Sequence, residues 1–211
     1  MGTRPAGHWH YIIEKIDLDE ERADVRPTDL LPIIRLEHER PIMELRKWGF
    51  LRLMPGVSGK LVKKQLFNAK SETAATLPTF RKAFVNGRCL IPLSSWYEWP
   101  TTAGVKHKVE ISRIGQETML AAGLYETSKD FKTGEPIETY VMLTTKPNKF
   151  LGTVHDRAPL ILDRMDYDNW LFGDVAQAQA LCGVLPDSSQ YDVRPAPDEE
   201  RPQATPPSSL F

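Results

Sequence analysis

Cysteine is scarce in this sequence, which has only Cys89 and Cys182. Two isolated cysteines form neither a zinc-binding pattern nor a disulfide framework. Disulfide-stapled secreted folds and cysteine-based zinc modules are therefore excluded, and a reducing, cytoplasmic setting is expected. We expect no metal and no cofactor.

Long apolar runs are also missing. The N-terminus has no apolar signal-peptide core, and no window approaches the length of a membrane span. The Met1-Gly2 start has Ala6 where a myristoylation motif needs serine or threonine. We therefore expect a soluble protein without a membrane partner.

An excess of positive charge is absent as well. The 27 Lys and Arg residues are balanced by 28 Asp and Glu residues, which gives a formal net charge of -1. Such a balance carries no global signal for nucleic-acid binding. It leaves room for a basic groove on one face of a near-neutral protein.

What the sequence does have is a globular composition, with 41% hydrophobic residues over a length of 211. Short β-branched or aromatic segments, separated by Gly and Pro, dominate and do not alternate regularly with helices. This pattern predicts an α+β protein built on a curved, mainly antiparallel, barrel-like sheet with a few flanking helices. The predicted strands cover residues 31–36, 42–53, 89–93, 106–112, 118–126 and 138–145.

Two helices are predicted, one after Pro78 with Thr79 as its cap and one over residues 166–182. Residues 8–24 fit a strand or a helix equally well. We assign one domain to residues 1–193. Residues 194–211 are rich in proline and lack periodicity, which predicts a disordered tail.

A lone carboxylate in an aromatic stretch is the most unusual local feature. In "CLIPLSSWYEW" (89–99), Glu98 stands among Trp96, Tyr97 and Trp99. A buried acid needs a partner or a chemical task. Glu98 is therefore either salt-bridged in the core or a proton-transfer group whose pKa is raised by apolar surroundings.

Three other stretches carry polar, reactive residues beside turn or strand signals: "MGTR" at the start, "NAKSET" at 68–73 and "TVHDRAPLIL" at 153–162. His155 is either a surface-loop residue or a general acid or base. Asn68 is either a turn residue or an amide that orients a reacting group. Catalytic residues are commonly gathered from separate strand ends in this way.

Taken together, the four stretches resemble the SRAP family (SOS-response-associated peptidase). The resemblance runs from Arg4 to about Leu171 and includes "WGF" at 48–50, "NAKSETAATLPTFRKAF" at 68–84 and "RCLIPLSSWYEW" at 88–99. It implies a DNA-repair protein that senses abasic sites in single-stranded DNA. It also implies a monomer in the cytoplasm, associated with the nucleoid.

In that family, removal of Met1 exposes a cysteine whose amine and thiol capture the abasic aldehyde as a thiazolidine crosslink. By position, the resemblance implies that Asn68 holds the N-terminal residue and the sugar. Glu98 and His155 would move protons, and Arg4, Lys70 and Arg157 would contact phosphates.

This sequence departs from the family pattern at position 2, where Gly2 replaces the usual cysteine. Without a thiol no thiazolidine forms. The α-amine of Gly2 would still form a reversible imine with an aldehyde, which invites β-elimination of the 3′ phosphate. Gly2 is thus the candidate nucleophile of a lyase-type reaction.

Two further functions are open. The chain is also compatible with a non-catalytic module for single-stranded or damaged DNA. A cysteine hydrolase using Cys89 or Cys182 with His155 ranks last, because neither cysteine lies in a turn or helix start that would lower the pKa of its thiol.

Overall fold

The computed structural model describes residues 25–115, 118–183, 185 and 191–196. The strands, in chain order, are β1 (Leu30–Glu37), β2 (Arg40–Trp48), β3 (Phe50–Pro55), β4 (Leu61–Leu66), β5 (Asn68–Lys70), β6 (Arg88–Leu93), β7 (Ser95–Glu98), β8 (Thr101–Thr102), β9 (Val105–Lys106), β10 (Val109–Arg113), β11 (Met119–Lys129), β12 (Pro136–Thr145), β13 (Ala158–Pro159), β14 (Ile161–Leu162) and β15 (Tyr191–Pro195). The α-helices are α1 (Ser71–Ala74), α2 (Pro78–Asn86), α3 (Tyr167–Leu171) and α4 (Val175–Ala180), with single 3₁₀ turns at Leu151–Thr153 and Arg164–Asp166.

Five strands close into a ring in the order β1, β2, β12, β11, β6 and back to β1. Four of the five pairings are antiparallel. The parallel pairing of β2 with β12 closes the ring, with Tyr140 opposite Trp48. The predicted α+β class with a curved, mainly antiparallel, barrel-like sheet is confirmed.

The ring strand β1 carries buried residues on both of its faces. In β1, Ile33 and Ile34 are each 0% exposed, and successive strand residues point to opposite faces. Ile34 belongs to a hydrophobic cluster with residues of α2, α3 and α4. Ile33 belongs to a second cluster, which includes residues of the small sheet β15-β10-β7. The ring therefore lies between the helices and the sheet that carries Glu98.

The single strand predicted over 42–53 is two strands, because the chain turns at Gly49. This glycine has φ +117°, and a Cβ there would lie 2.7 Å from the side chain of Gln65. Its backbone N–H donates to the Tyr140 carbonyl at 2.7 Å. The turn ends β2 and starts β3, which pairs only with β4 in the described residues.

The helix predicted after Pro78 is present as α2 and ends before Gly87, but Thr79 does not cap it. Leu77 is the N-cap residue and makes no side-chain capping bond. Proline already fixes the first helical turn and lacks the N–H that a cap would satisfy. The assignment of Thr79 as cap was wrong.

The helix predicted over 166–182 is broken into α3 and α4. Asp174 starts a new helix with a capping box, since its carboxylate accepts from Gln177 N–H and the Gln177 side chain accepts from Asp174 N–H. Before it, the Arg88 guanidinium donates to the carbonyls of Trp170 and Gly173. The half-buried Arg88 side chain thus satisfies carbonyls that the interrupted helix leaves unpaired.

The predicted boundary after residue 193 falls inside a strand. β15 includes Arg194 and Pro195, which pair with Glu110 and Val109 of β10. The segment 8–24, with its undecided helix or strand, lies outside the described residues.

Candidate functional site

The strand β5 presents Asn68 and Lys70 on one open face. Both are exposed, whereas Ala69 between them is 2% exposed and joins the core. β5 pairs in parallel with β12, so that Asn68 lies opposite Met142 and Lys70 opposite Thr144. A three-residue strand thereby fixes two polar side chains at the carboxyl end of β12.

Glu98 is the last residue of β7 and lies opposite Val109 of β10. Its side chain is only 18% exposed. Burial raises the pKa of Glu98; nearby His155 opposes the shift and Asp156 adds to it. A carboxyl group in this position holds a proton closer to neutral pH than an ordinary glutamate does.

The aromatic residues around Glu98 have different surroundings. Trp96 shares the strand face of Glu98 and packs edge-on against Tyr191, with ring centroids 5.7 Å apart. Tyr97 points to the opposite face, where the Lys108 ammonium lies 4.0 Å from its ring centroid. Trp99 is 52% exposed. Within the strand, only Trp96 therefore adds apolar surface to the face that carries Glu98.

His155 follows the 3₁₀ turn and brings its ring to Glu98. Its backbone N–H donates to the Leu151 carbonyl at 3.1 Å. Its Nδ1 lies 3.7 Å from Glu98 Oε1 and 3.4 Å from Asp156 Oδ1. The distance to Glu98 is too long for a hydrogen bond, but at this range opposite charges attract. The sequence-predicted pair of Glu98 and His155 is thus brought together.

Two backbone groups of Arg157 lie within hydrogen-bonding distance of His155 Nδ1. The Arg157 N–H lies 3.1 Å from Nδ1, and the Arg157 carbonyl oxygen lies 3.0 Å from it. The neutral ring with its proton on Nε2 accepts from the N–H at Nδ1. The imidazolium donates from Nδ1 to the carbonyl instead. One residue therefore offers a partner to both protonation states.

The Arg157 side chain does not extend into solvent. Its Nη1 and Nη2 donate to the two carboxylate oxygens of Glu72 at 2.7 and 2.8 Å, and Nη2 also donates to the Thr144 carbonyl. The Arg157 guanidinium is the main reason that the pKa of Glu72 is lowered to about 2. The phosphate contact expected of Arg157 remains a prediction.

Glu72 and Thr144 were not singled out from the sequence, although both lie in stretches that were. Glu72 is in "NAKSET" and Thr144 in the "TT" that precedes "HDRAPLIL". An ion pair between residues 72 and 157 has no local sequence pattern. Strand β12 brings the two segments together, because it pairs with β5 next to Glu72 and with β13 next to Arg157.

Gly2 and Arg4 lie outside the described residues. Among the predicted site residues that are described, Glu98 and His155 form one pair. Asn68, Lys70 and Arg157 are connected through β12, because Arg157 contacts Thr144 and Thr144 pairs with Lys70. That all of them share one pocket with the N-terminus stays a prediction.

Neither cysteine has the environment of a nucleophile. Cys89 is 0% exposed, and burial raises the pKa of its thiol far above the ordinary value. Burial also raises the pKa of Cys182 to about 11. Both thiols therefore stay protonated at neutral pH, which disfavours the cysteine-hydrolase hypothesis.

Two kinds of feature are not found in the part of the chain that the structure describes. None of its helices is long and apolar enough to cross a membrane. Within the same residues, no group of three or more His, Cys, Asp or Glu side chains is arranged to hold a metal ion.

Comparison with known families gives a match over most of the chain. The model of the SOS response associated peptidase (SRAP) family matches residues 6–198. The chain belongs to the SRAP family.

Two named relatives are 28% and 32% identical to this chain over the aligned residues. The abasic site processing protein YoqW of Bacillus subtilis is 32% identical over 173 residues, which cover 76% of this chain and 74% of YoqW. The abasic site processing protein YedK of Escherichia coli is 28% identical over 178 residues, covering 82% of this chain and 76% of YedK.

A solved structure shows the same fold. The crystal structure of a protein from Bordetella bronchiseptica superposes with a TM-score of 0.69 at 24% identity, over 84% of this chain and 89% of that one. At this level of identity the likeness concerns the fold alone.

Proposed function

We propose that this chain senses abasic sites in single-stranded DNA and engages the abasic aldehyde through its N-terminal residue. Its family membership and the names of its relatives support the substrate. The observation that carries the chemistry is the approach of His155 Nδ1 to Glu98 Oε1 at 3.7 Å, with the carboxyl group largely buried. Such a pair suits proton transfer near neutral pH.

The reaction proposed for Gly2 is imine formation. After removal of Met1, the α-amine attacks the aldehyde carbon of the ring-opened sugar and gives a carbinolamine, which loses water to become the imine. An α-amine has a pKa near ~7.8 against ~10.4 for lysine, so its reactive fraction at neutral pH is roughly several hundred times larger. The same imine can be hydrolysed, or it can eliminate the 3′ phosphate.

Each step needs a proton at a defined atom. In the proposal, the buried Glu98 carboxyl donates to the hydroxyl that leaves as water, and His155 takes up or returns protons during ring opening and elimination. Asn68, exposed on β5, orients the sugar and the amine. These roles require all three side chains within reach of one aldehyde carbon.

The phosphates are assigned to Arg4, Lys70 and Arg157. Lys70 is exposed beside Asn68, so it can follow the DNA backbone next to the reacting sugar. Arg157 has five N–H donors: two go to Glu72, one goes to the Thr144 carbonyl, and Nε lies 3.4 Å from Thr144 Oγ1, which leaves one donor on Nη1. A phosphate contact is therefore compatible with the ion pair to Glu72.

Reductive trapping tests the proposal. The full chain is mixed with a single-stranded oligonucleotide that contains one abasic site, with and without borohydride. Only an imine is reduced to a permanent adduct, so a covalent band that requires borohydride is expected. The matched control is the same oligonucleotide with an intact base or a reduced abasic site, which offers no aldehyde.

The second candidate is a module that binds the damaged strand without covalent chemistry, and the absence of a thiol at Gly2 favours it. It predicts salt-dependent binding to abasic single strands but no borohydride-trapped band.

A further inference from the structure

The ion pair between Glu72 and Arg157 connects two separate parts of the candidate site. Glu72 lies in α1, directly after the strand that presents Asn68 and Lys70. Arg157 lies two residues after His155. The pair is bidentate, with N–O distances of 2.7 and 2.8 Å, and the Arg157 side chain is 18% exposed. Bidentate arginine–carboxylate contacts fix orientation as well as distance.

Glu72 is held in turn by the end of β12. The backbone amide of Lys146, which directly follows β12, contributes to lowering the pKa of Glu72. Arg157 donates to the carbonyl of Thr144 in the same strand end. The carboxylate therefore lies at a junction of β5, β12 and the His155 loop.

The Arg157 backbone, which these side-chain contacts hold, is also the partner of His155 Nδ1. The N–H at 3.1 Å and the carbonyl oxygen at 3.0 Å come from that one residue. A shift of Arg157 would therefore change which ring nitrogen carries the proton and how far the ring lies from Glu98. Partners of this kind select the tautomer of a histidine.

We propose that Glu72 is a positioning residue: by clamping the Arg157 guanidinium it fixes the Arg157 backbone, which sets the orientation and tautomer of His155 against Glu98. The effect of Glu72 on catalysis rests on the proposed function. The effect of Glu72 on the His155 ring does not rest on it, since the contacts exist without DNA.

Several charged and titratable groups face His155 and Glu72. Glu98 and Asp156 face His155 at 3.7 and 3.4 Å. Arg157 and the Lys146 amide face Glu72, and the Cys182 thiol lies close enough for the Glu72 carboxylate to contribute to raising its pKa. Because the Glu72 pKa is lowered to about 2, the carboxylate is ionised at neutral pH.

A competing role for Glu72 makes the opposite prediction. If the carboxylate merely occupied Arg157 until a DNA phosphate displaced it, removing its charge would strengthen DNA binding and leave His155 unchanged. The two roles can therefore be told apart by the DNA affinity of a variant that lacks the Glu72 charge, and by whether its His155 ring changes.

The first test is nitrogen NMR of the His155 ring in the DNA-free protein, comparing wild type with Glu72→Gln. The matched control is Glu126→Gln, because Glu126 makes a comparable bidentate ion pair with Arg52, with N–O distances of 2.5 and 2.6 Å. We expect the neutral wild-type ring to carry its proton on Nε2. Glu72→Gln should change the tautomer balance of the His155 ring, and with it the two ring-nitrogen resonances, whereas Glu126→Gln should change neither. Unchanged His155 resonances in Glu72→Gln would overturn the proposal.

The second test uses abasic single-stranded DNA. Glu72→Gln should slow borohydride-trapped adduct formation by about tenfold or more, as expected when a reacting group loses its orientation, without tightening DNA binding. A tighter complex with a steeper salt dependence would show that Glu72 is a stand-in for phosphate and contradict the proposal. Should Glu72→Gln fail to fold, Glu72→Asp carries both tests, with smaller effects in the same direction.

The two tests separate the two proposals. If wild-type protein forms no adduct, the proposed function fails, while the NMR comparison still decides the role of Glu72. If adducts form but the His155 resonances are unchanged in Glu72→Gln, the proposed function stands and the positioning role of Glu72 fails.

Discussion

His155 Nδ1 lies 3.7 Å from Glu98 Oε1, although one residue follows a 3₁₀ turn and the other ends a strand of a separate sheet. The side chain of Glu98 is 18% exposed and that of His155 is 46% exposed. The carboxyl group is thus the more buried member of the pair, and the histidine is the more exposed one. A ring in this position can exchange protons with the acid on one side and with water on another.

Glu98→Gln should make the protein more stable at neutral and alkaline pH. Burial raises the pKa of Glu98 in the folded state. Wild type therefore loses stability as pH rises from the ordinary glutamate pKa through this raised value, because the folded state must then hold a buried charge. Gln has no charge and escapes this loss. Thermal unfolding from pH 4 to pH 8 measures it: the Tm advantage of Glu98→Gln should grow with pH and then level off.

A matched control for this series is Glu135→Gln, which changes an exposed glutamate. Its Tm should follow that of wild type at every pH. A Tm difference for Glu98→Gln that stays constant across the range would contradict a raised pKa for Glu98.

Glu72→Gln should have the reverse pH dependence. The pKa of Glu72 is lowered to about 2 by Arg157, so the pair contributes stability above the ordinary glutamate pKa and loses it as pH falls towards 2. For a partly exposed bidentate pair we expect a loss of roughly 1 kcal/mol at neutral pH. Urea unfolding at pH 7 and at pH 3 should show a smaller difference between variant and wild type at the lower pH. Equal differences at the two pH values would argue against the pair.

His155→Ala should slow adduct formation roughly a hundredfold, since a positioned general acid or base contributes about that much or more. Asp156→Asn is the matched control, because its carboxylate lies 3.4 Å from the same Nδ1 but is 88% exposed. Single-turnover trapping with abasic single-stranded DNA gives both rates. If the two variants react alike, His155 has no special role.

Gly2→Cys should convert a transient adduct into a lasting one. The added thiol attacks the imine carbon, closes a thiazolidine ring and removes the hydrolysable double bond. Without borohydride, a denaturing gel should show a stable crosslink for Gly2→Cys but not for Gly2→Ala, which keeps the amine and adds no thiol. A folded Gly2→Cys protein that forms no stable adduct would mean that the site carried over from the family is wrong for this chain.

The fold class could be predicted from the sequence because it rests on local patterns. The β-branched segments at 31–36 and 138–145 are strands, since their alternation and length are local properties. The break at Gly49 was missed because the positive φ of this residue goes with a hydrogen bond to the Tyr140 carbonyl of a strand that is distant in sequence. The division between α3 and α4 was missed because a capping box and a distant arginine decide it.

The same contrast holds for the site. Glu98 and His155 were found as unusual residues beside strand signals, and the structure brings them together. Glu72 was missed because a carboxylate in a short polar stretch has no distinguishing pattern until its partner is known. The ion pair of Glu72 with Arg157 arises from strand pairing, which no single segment of the sequence encodes.

The most direct test of the proposed chemistry is to locate the bond between protein and DNA. Protein trapped by borohydride on an abasic oligonucleotide is digested, and the crosslinked peptide is identified by mass spectrometry. The proposal predicts that Met1 is absent and that the reduced sugar is attached to the α-amine of Gly2. Attachment to a lysine such as Lys70, or no adduct from protein that binds the oligonucleotide, would contradict it.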